Sequence, residues 1–412
     1  MLGASALLLG AAELAVRALR PREPEPRVAE VDLDSYFSAE EIERGARFAR
    51  PQLALGAGAS AVQLAVVASV ALGGGRMGKV LRRGRLAQRP LWAGAATAAG
   101  LAAASQLAAL PLSALARRRA LRAGLATQSW SGWAADVAKA SLIEGAFAAG
   151  AGATVVATMR RYPRTWWAVA AGGSVAFGGL LALLSPVLLD PVFNKFEPLP
   201  DGPTRGDVLE LAAAAGLNVG EVYSVDASRR SNAANAYVTG LGPTKRVVLF
   251  DTLLDRYNRD EVRVVVAHEL AHVRGRDVRR GIVFAAIVAL PAALVTETVG
   301  RLLPGETGEA SVLPSLALAA ALVSAPLAPL SARLSRALER RADAYSLELT
   351  SAPEAFISFE RRIAVQNLAD VDPPRWLHSL LATHPATRER IGAAVAFASS
   401  LPRPDRRTPA DS

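Results

Sequence analysis

Only four histidines occur in the 412 residues, and two of them share one short stretch, Val264-Val-Val-Ala-His268-Glu269-Leu-Ala-His272. On a helix, His268 and His272 lie one turn apart on one face, so two imidazole nitrogens can reach a single zinc ion. Glu269 then sits beside them as the base that takes a proton from water, which completes the minimal equipment of a metallopeptidase. Zinc needs a further protein ligand. The best candidates lie in Ser335-Arg-Ala-Leu-Glu339-Arg-Arg-Ala-Asp343, where Glu339 and Asp343 are again four apart and face one way. One of the two can bind metal while the other hydrogen-bonds a ligating imidazole.

The elements that must bring these helices together are mostly apolar. Hydrophobic residues make up 51% of the chain, in long Ala, Leu, Val and Gly runs of the kind a bilayer selects. A formal charge of +10 would suit nucleic acid in a soluble protein, but the arginines cluster beside the apolar runs, where anionic headgroups are the simpler partner. No nucleic-acid partner is expected. The chain has no cysteine, which excludes disulfides and thiolate ligands.

Residues 2–16 read as an uncleaved first span, followed by a charged loop and an interfacial helix capped by Ser38 and Glu41. Spans follow at 53–72, 91–115, 141–159 and 166–189, with Trp92, Trp166 and Trp167 at their edges. From Asp190 the chain turns polar and proline-rich. Thr204 with Asp207 is expected to start a helix that stops at Gly216, and short strands are expected at 221–225, 235–239 and 246–250. Asn258 and Glu261 offer a capping box for the His268 helix. Two further spans at 282–299 and 316–330 form a hairpin whose ends emerge on one side, so the His268 and Glu339 helices should meet. The expected fold is mostly α: a polytopic bundle of about seven spans with a small α+β zinc-metallopeptidase domain. Its parts are a five-span region at 1–190, a soluble catalytic segment at 191–280, a membrane hairpin at 281–331, catalytic helices at 332–400 and a disordered tail at 401–412.

These residues resemble the type I CAAX prenyl endopeptidases, seven-spanning zinc proteases of gluzincin type. The matching blocks are Pro191-Val-Phe-Asn-Lys-Phe-Glu-Pro-Leu-Pro200, Asn235-Ala-Tyr237, Arg246-Val-Val-Leu-Phe-Asp-Thr-Leu253, the His268 motif, Glu339-Arg-Arg-Ala-Asp343, Thr383-His-Pro385 and Glu389-Arg-Ile391, in the family's order. The resemblance implies one zinc per chain on His268, His272 and Glu339, with Glu269 as general base. It further implies Asn235 on an edge strand that holds substrate backbone, His384 as a donor to the developing oxyanion, Asp343 in support of the ligands, and Arg390 steadying the Glu339 carboxylate. Ala233-Ala234 departs from the His-Ser that members often carry, and Ala271 replaces a common Gly.

The expected function is an integral-membrane zinc endopeptidase acting on a peptide or protein, prenylated or membrane-embedded. The competing readings are a quality-control protease for misfolded membrane proteins and a catalytically silent scaffold. Arg274, Arg276, Arg279 and Arg280 before the sixth span, and Arg333, Arg336, Arg340 and Arg341 after the seventh, place the site on the cytoplasmic side, and the Arg- and Ala-rich composition points to a bacterial plasma membrane. The basic loop at 76–89 then falls outside, against the same rule. Glu13, Glu144 and Glu297 are expected to face a hydrated interior or one another.

Overall fold

The computed structural model describes residues 2–73, 88–240, 245–303 and 309–402. Most of the basic loop at 76–89, the turn at 241–243 and the tail from 403 therefore lie outside the described residues.

The chain opens with α1 (Leu2–Leu19), α2 (Ala39–Leu72), α3 (Pro90–Arg122), α4 (Trp130–Arg161), α5 (Trp166–Leu188) and the single turn α6 (Asp190–Phe193). Then come β1 (Phe196–Pro198), α7 (Pro203–Ala214), β2 (Glu221–Val225), β3 (Ala236–Thr239), β4 (Arg246–Phe250), α8 (Asp251–Arg256) and α9 (Arg259–Arg274). The remainder is helical: α10 (Asp277–Leu302), α11 (Leu313–Ser324), α12 (Ala328–Thr350), α13 (Pro353–Gln366), α14 (Arg375–Leu381) and α15 (Thr387–Ser400).

Among the described residues, six helical stretches are long and apolar enough to cross a membrane: α2 to α5, α10, and the run from Leu313 to Thr350. At most 39% of the most apolar stretch in any of them is covered by protein, so most of each stretch is left uncovered. Leu107, Leu142, Leu180 and Val187 are among the exposed side chains. α1 packs against α10 and α12, with Leu8, Ala12 and Val16 buried on Phe284 and Val288 of α10 and Leu334 of α12. The expected interfacial helix and second span are one continuous 34-residue helix, started by the predicted Ser38–Glu41 capping box. Between α3 and α4 the backbones touch. A Cβ on Gly152 would meet the Gly94 carbonyl at 2.4 Å, so glycine is needed at this crossing.

The intramembrane glutamates do not pair with one another. Glu13 accepts from Arg17 at 2.7 Å and also pairs with Arg333, while Glu144 accepts from Gln106 at 2.5 Å, and Glu297 pairs with Arg301. Each carboxylate finds its donor locally or on the next helix, which makes the expected mutual contact unnecessary.

The soluble part is built on a four-stranded sheet in the order β1-β2-β4-β3. β2 and β4 pair in parallel, and β1 and β3 flank them antiparallel. β1 was not expected, because its Pro198 and acidic Glu197 read as loop; as an edge strand it tolerates proline. Val247 and Leu249 of β4 are fully buried in one core with Val265 and Val266 of α9, while Val248 is buried on the other side of the sheet with Val225 and Ala227. Val264 turns the other way, onto Leu347, Phe356 and Ala394 of α12, α13 and α15. The three-valine run thus wedges the metal helix between the sheet and the C-terminal helices. The predicted Asn258–Glu261 capping box starts α9. The expected Thr204–Asp207 cap does not form: α7 begins at Pro203 without a side-chain cap, and Asp207 instead binds Arg259 at 2.5 and 2.8 Å, with Arg263 also on it.

Candidate metal centre

α9 and α12 run against each other, and Ser346 Oγ of α12 donates to the Val264 carbonyl at 2.7 Å. This contact sets the register that brings Glu339 over the two histidines. His268 Nε2 lies 3.1 Å from His272 Nε2 and 3.3 Å from Glu339 Oε2, and His272 Nε2 lies 3.6 Å from Glu339 Oε1. One ligand atom from each of the three residues falls within 4.8 Å of the others. Three donors at about 2.0–2.2 Å in a tetrahedron stand about 3.3–3.6 Å apart, so the cluster has the spacing of a zinc cage. Glu339 Oε2 is buried and makes no directed hydrogen bond, which leaves a lone pair aimed into the cluster. The donor set fits a metal ion.

Each imidazole is held from behind. His268 Nδ1 lies 2.9 Å from Asp343 Oδ1, and His272 Nδ1 lies 2.8 Å from Asp277 Oδ2. Such carboxylates fix the tautomer that presents Nε2 and raise the basicity of the ring. Burial disfavours the charged His268 ring, but Asp343 and Glu339 outweigh it and push its pKa up to about 10. Asp277 is in turn held by Arg341 at 2.7 Å. Gly275 makes room for this, since a Cβ there would lie 1.7 Å from Arg341 Nη1.

Arg390 of α15 is not on Glu339 as expected. Its Nε and Nη2 donate to Asp343 at 2.9 and 2.5 Å, and its Nη1 pairs with Glu360 of α13 at 2.7 Å. A planar fork meeting a carboxylate end-on is the stronger arrangement, and Glu339 offers its oxygens to the cage instead. Burial pushes the Glu360 carboxyl up to about 7 against the pull of Arg390, while Arg390 itself is held fully charged by Asp343 and Glu360 despite its burial.

Glu269 faces a cavity of about 400 Å³ that it shares with His268, His384 and Arg390. Burial raises its carboxyl pKa, a shift in the direction a general base needs. His384, on the loop before α15, is exposed and places Nε2 3.5 Å from Glu339 Oε2, with Thr383 Oγ1 3.0 Å from its Nδ1. Asn235 and Ala236 line the opposite wall, at the start of the edge strand β3. Phe356, Phe359 and Ile363 give the cavity an apolar side.

The structure therefore gathers every residue singled out from the sequence. Sequence reasoning missed two that belong with them, Asp277 and Glu360. An acidic residue five positions past the second motif histidine was a usable signal for the first. Glu360 stands in an ordinary amphipathic helix and carried none.

Comparison with known proteins identifies the family. Residues 198–398 match the model of peptidase family M48, and residues 24–195 match that of the CAAX prenyl protease N-terminal region, described as five membrane helices. A protein of Bacillus subtilis named as an uncharacterized metalloprotease, YhfN, is 31% identical over 294 residues, 69% of each chain. CAAX prenyl protease 1 homolog of Arabidopsis thaliana is 44% identical over 94 residues, 23% of this chain and 22% of that one. CAAX prenyl protease 1 of Saccharomyces cerevisiae is 38% identical over 109 residues, 26% and 24% of the two chains. These two matches span about a quarter or less of the relatives' length. The crystal structure of S. mikatae Ste24p superposes with a TM-score of 0.75 over 95% of this chain and 97% of that one, at 20% identity, which shows the shared fold. The chain belongs to the M48 peptidase family, with the membrane region of the CAAX prenyl proteases, and is a multi-pass membrane metalloprotease.

Proposed function

We propose that the chain is a zinc endopeptidase of the His-Glu-x-x-His plus Glu type, with its site on the cytoplasmic face, and that it cleaves prenylated CAAX-type peptides. The observation that carries the reading is the cage of His268, His272 and Glu339 with Glu269 on the same helix, set in a cavity beside an open sheet edge. Imidazole and carboxylate donors at this spacing favour zinc. Zinc held there supplies Lewis acidity, which makes water a nucleophile near neutral pH and polarises a carbonyl.

The remaining steps belong to the chain's own groups. The substrate backbone adds to the free edge of β3 at Asn235, which fixes an extended peptide across the cavity. Glu269 takes the proton from the attacking water as its oxygen bonds to the carbonyl carbon, and returns that proton to the amine nitrogen as the C–N bond breaks. His384 Nε2 donates to the carbonyl oxygen as charge develops on it. Asp343 and Asp277 hold the two rings, and Arg390 holds Asp343.

The substrate class rests on the membrane setting of the cavity and on the relatives named CAAX prenyl protease. The test is hydrolysis of a farnesylated CAAX peptide, beside the same peptide without the lipid, by detergent-purified full chain. Cleavage of the farnesylated peptide, lost in Glu269→Gln, is the expected result. A wild-type protein that holds zinc and cleaves only unmodified or unfolded membrane polypeptides would overturn the prenyl reading and favour the quality-control one.

A further inference from the structure

A second cavity, of about 780 Å³, opens between the segment after α1, the junction of α9 with α10, and α12. Six arginines line it: Arg20, Arg274, Arg276, Arg280, Arg340 and Arg341, against three glutamates. Four of the six are already engaged. Arg20 pairs with Glu25, Arg340 with Glu389, Arg341 with Asp277, and Arg274 donates to the Ala215 carbonyl and lies over the Tyr345 ring. The other two are free or weakly held. Arg276 is exposed and makes no side-chain hydrogen bond or ion pair among the described residues, and Arg280 makes only a long ion pair with Asp277 at 4.0 Å, its Nη1 being buried without a hydrogen bond.

The backbone favours this arrangement at some cost. Arg276 sits at φ 55°, in the left-handed region that side-chain-bearing residues rarely adopt, although Gly275 is next to it. A strained arginine that lines a basic cavity and has no partner among the described residues is the kind of outlier that marks a binding site. The cavity also lies at the start of α10 and beside the polar C-terminal half of the run from Leu313 to Thr350, both membrane-capable by length and composition, and a basic cavity at the end of such helices is suited to phospholipid headgroups.

We propose that this cavity binds a phosphate-bearing anion at the membrane boundary, with Arg276 and Arg280 as the principal donors. Guanidinium forks match phosphate oxygens, and the six arginines outnumber the carboxylates on or against them, the three lining glutamates together with Asp277 and Glu389, which favours an anion over a neutral headgroup. The source can be a phospholipid headgroup or free phosphate, and the two are separable. The proposal is independent of the peptidase reading, because binding is measured without turnover.

The test is calorimetric titration of the detergent-purified full chain with dioctanoyl phosphatidic acid, with dioctanoyl phosphatidylcholine and with inorganic phosphate. Phosphatidic acid should bind and phosphatidylcholine should not. Arg276→Gln, and Arg276→Gln combined with Arg280→Gln, should weaken binding by at least about tenfold per arginine removed. Arg279→Gln, a neighbouring arginine that does not line the cavity, serves as the control for diffuse surface attraction and should change nothing. Inorganic phosphate binding as well would identify the phosphate group itself as sufficient; lipid binding alone would identify the phosphate headgroup together with its acyl chains. Absence of binding by wild type, or an equal loss in Arg279→Gln and Arg276→Gln, would overturn the proposal. Metal content and thermal melting of each variant show that a lost signal is not a lost fold.

Discussion

Asp343 is where the proposed metal cage meets the protein interior, and replacing it with Asn makes a worked test of that role. The side chain is 3% exposed, with Oδ1 facing His268 Nδ1 at 2.9 Å and both oxygens accepting from Arg390. Both of its oxygens therefore face donors. An amide has one oxygen, so in Asp343→Asn the NH₂ group must confront either the His268 ring or the Arg390 fork. Removing one partner of a buried charge pair costs about 3–5 kcal/mol when the other is left alone. Here Arg390 keeps Glu360 at 2.7 Å, so the stability loss should be smaller, about 1–3 kcal/mol. The effect on the metal is separate. Carboxylates behind ligating imidazoles contribute about 10- to 100-fold to affinity, or about 1.4–2.8 kcal/mol. Chelator competition on wild type and Asp343→Asn should show a zinc affinity lower by that range, with melting shifted modestly. Affinity within twofold of wild type would refute the claim that Asp343 orients His268. Loss of the fold without a specific metal effect would assign Asp343 to packing alone.

Gly275→Ala should displace the Arg341 guanidinium from Asp277, because a Cβ would sit 1.7 Å from its Nη1; the fold should survive, with zinc affinity down by roughly tenfold at most in chelator competition. His384→Ala should lower kcat by about 10²–10³ with one metal still bound, and an unchanged kcat would remove His384 from the reaction. Glu360 carries a pH prediction. Its carboxyl titrates near about 4.3 in an unfolded chain and up to about 7 in the fold, so between those values the folded state binds the extra proton. Stability should therefore fall as pH rises through that window, and Glu360→Gln should melt higher than wild type at pH 8 while differing little at pH 4; parallel melting curves would contradict the burial argument.

What the sequence made legible was what local pattern determines. The His268 motif, its Asn258 cap and the valine run that buries it on both sides can each be read from neighbouring residues, and α9 forms where they say. The apolar runs gave the membrane helices for the same reason, although α2 joins two expected elements because nothing between them breaks a helix; even Pro51 is accommodated. Pairings between distant elements were harder. Arg390 and Asp343 are 47 positions apart, and only the fold decides that the guanidinium takes Asp343 and Glu360 and leaves Glu339 free. Asp207 looked like a cap for α7 because its local spacing allowed it, yet Arg259 and Arg263 on the metal helix outcompete that local bond. β1 and the parallel pairing of β2 with β4 likewise depend on contacts that no window of sequence contains.

The central claim is that His268, His272 and Glu339 hold one zinc ion while Glu269 performs the proton transfer. The most direct measurement is metal content by plasma mass spectrometry, with peptide cleavage alongside, for full-length wild type, Glu269→Gln and Glu339→Ala. One zinc per chain in wild type and in Glu269→Gln, cleavage only in wild type, and loss of zinc in Glu339→Ala are the predicted results. An active Glu269→Gln protein, or full zinc occupancy in Glu339→Ala at wild-type affinity, would contradict the account.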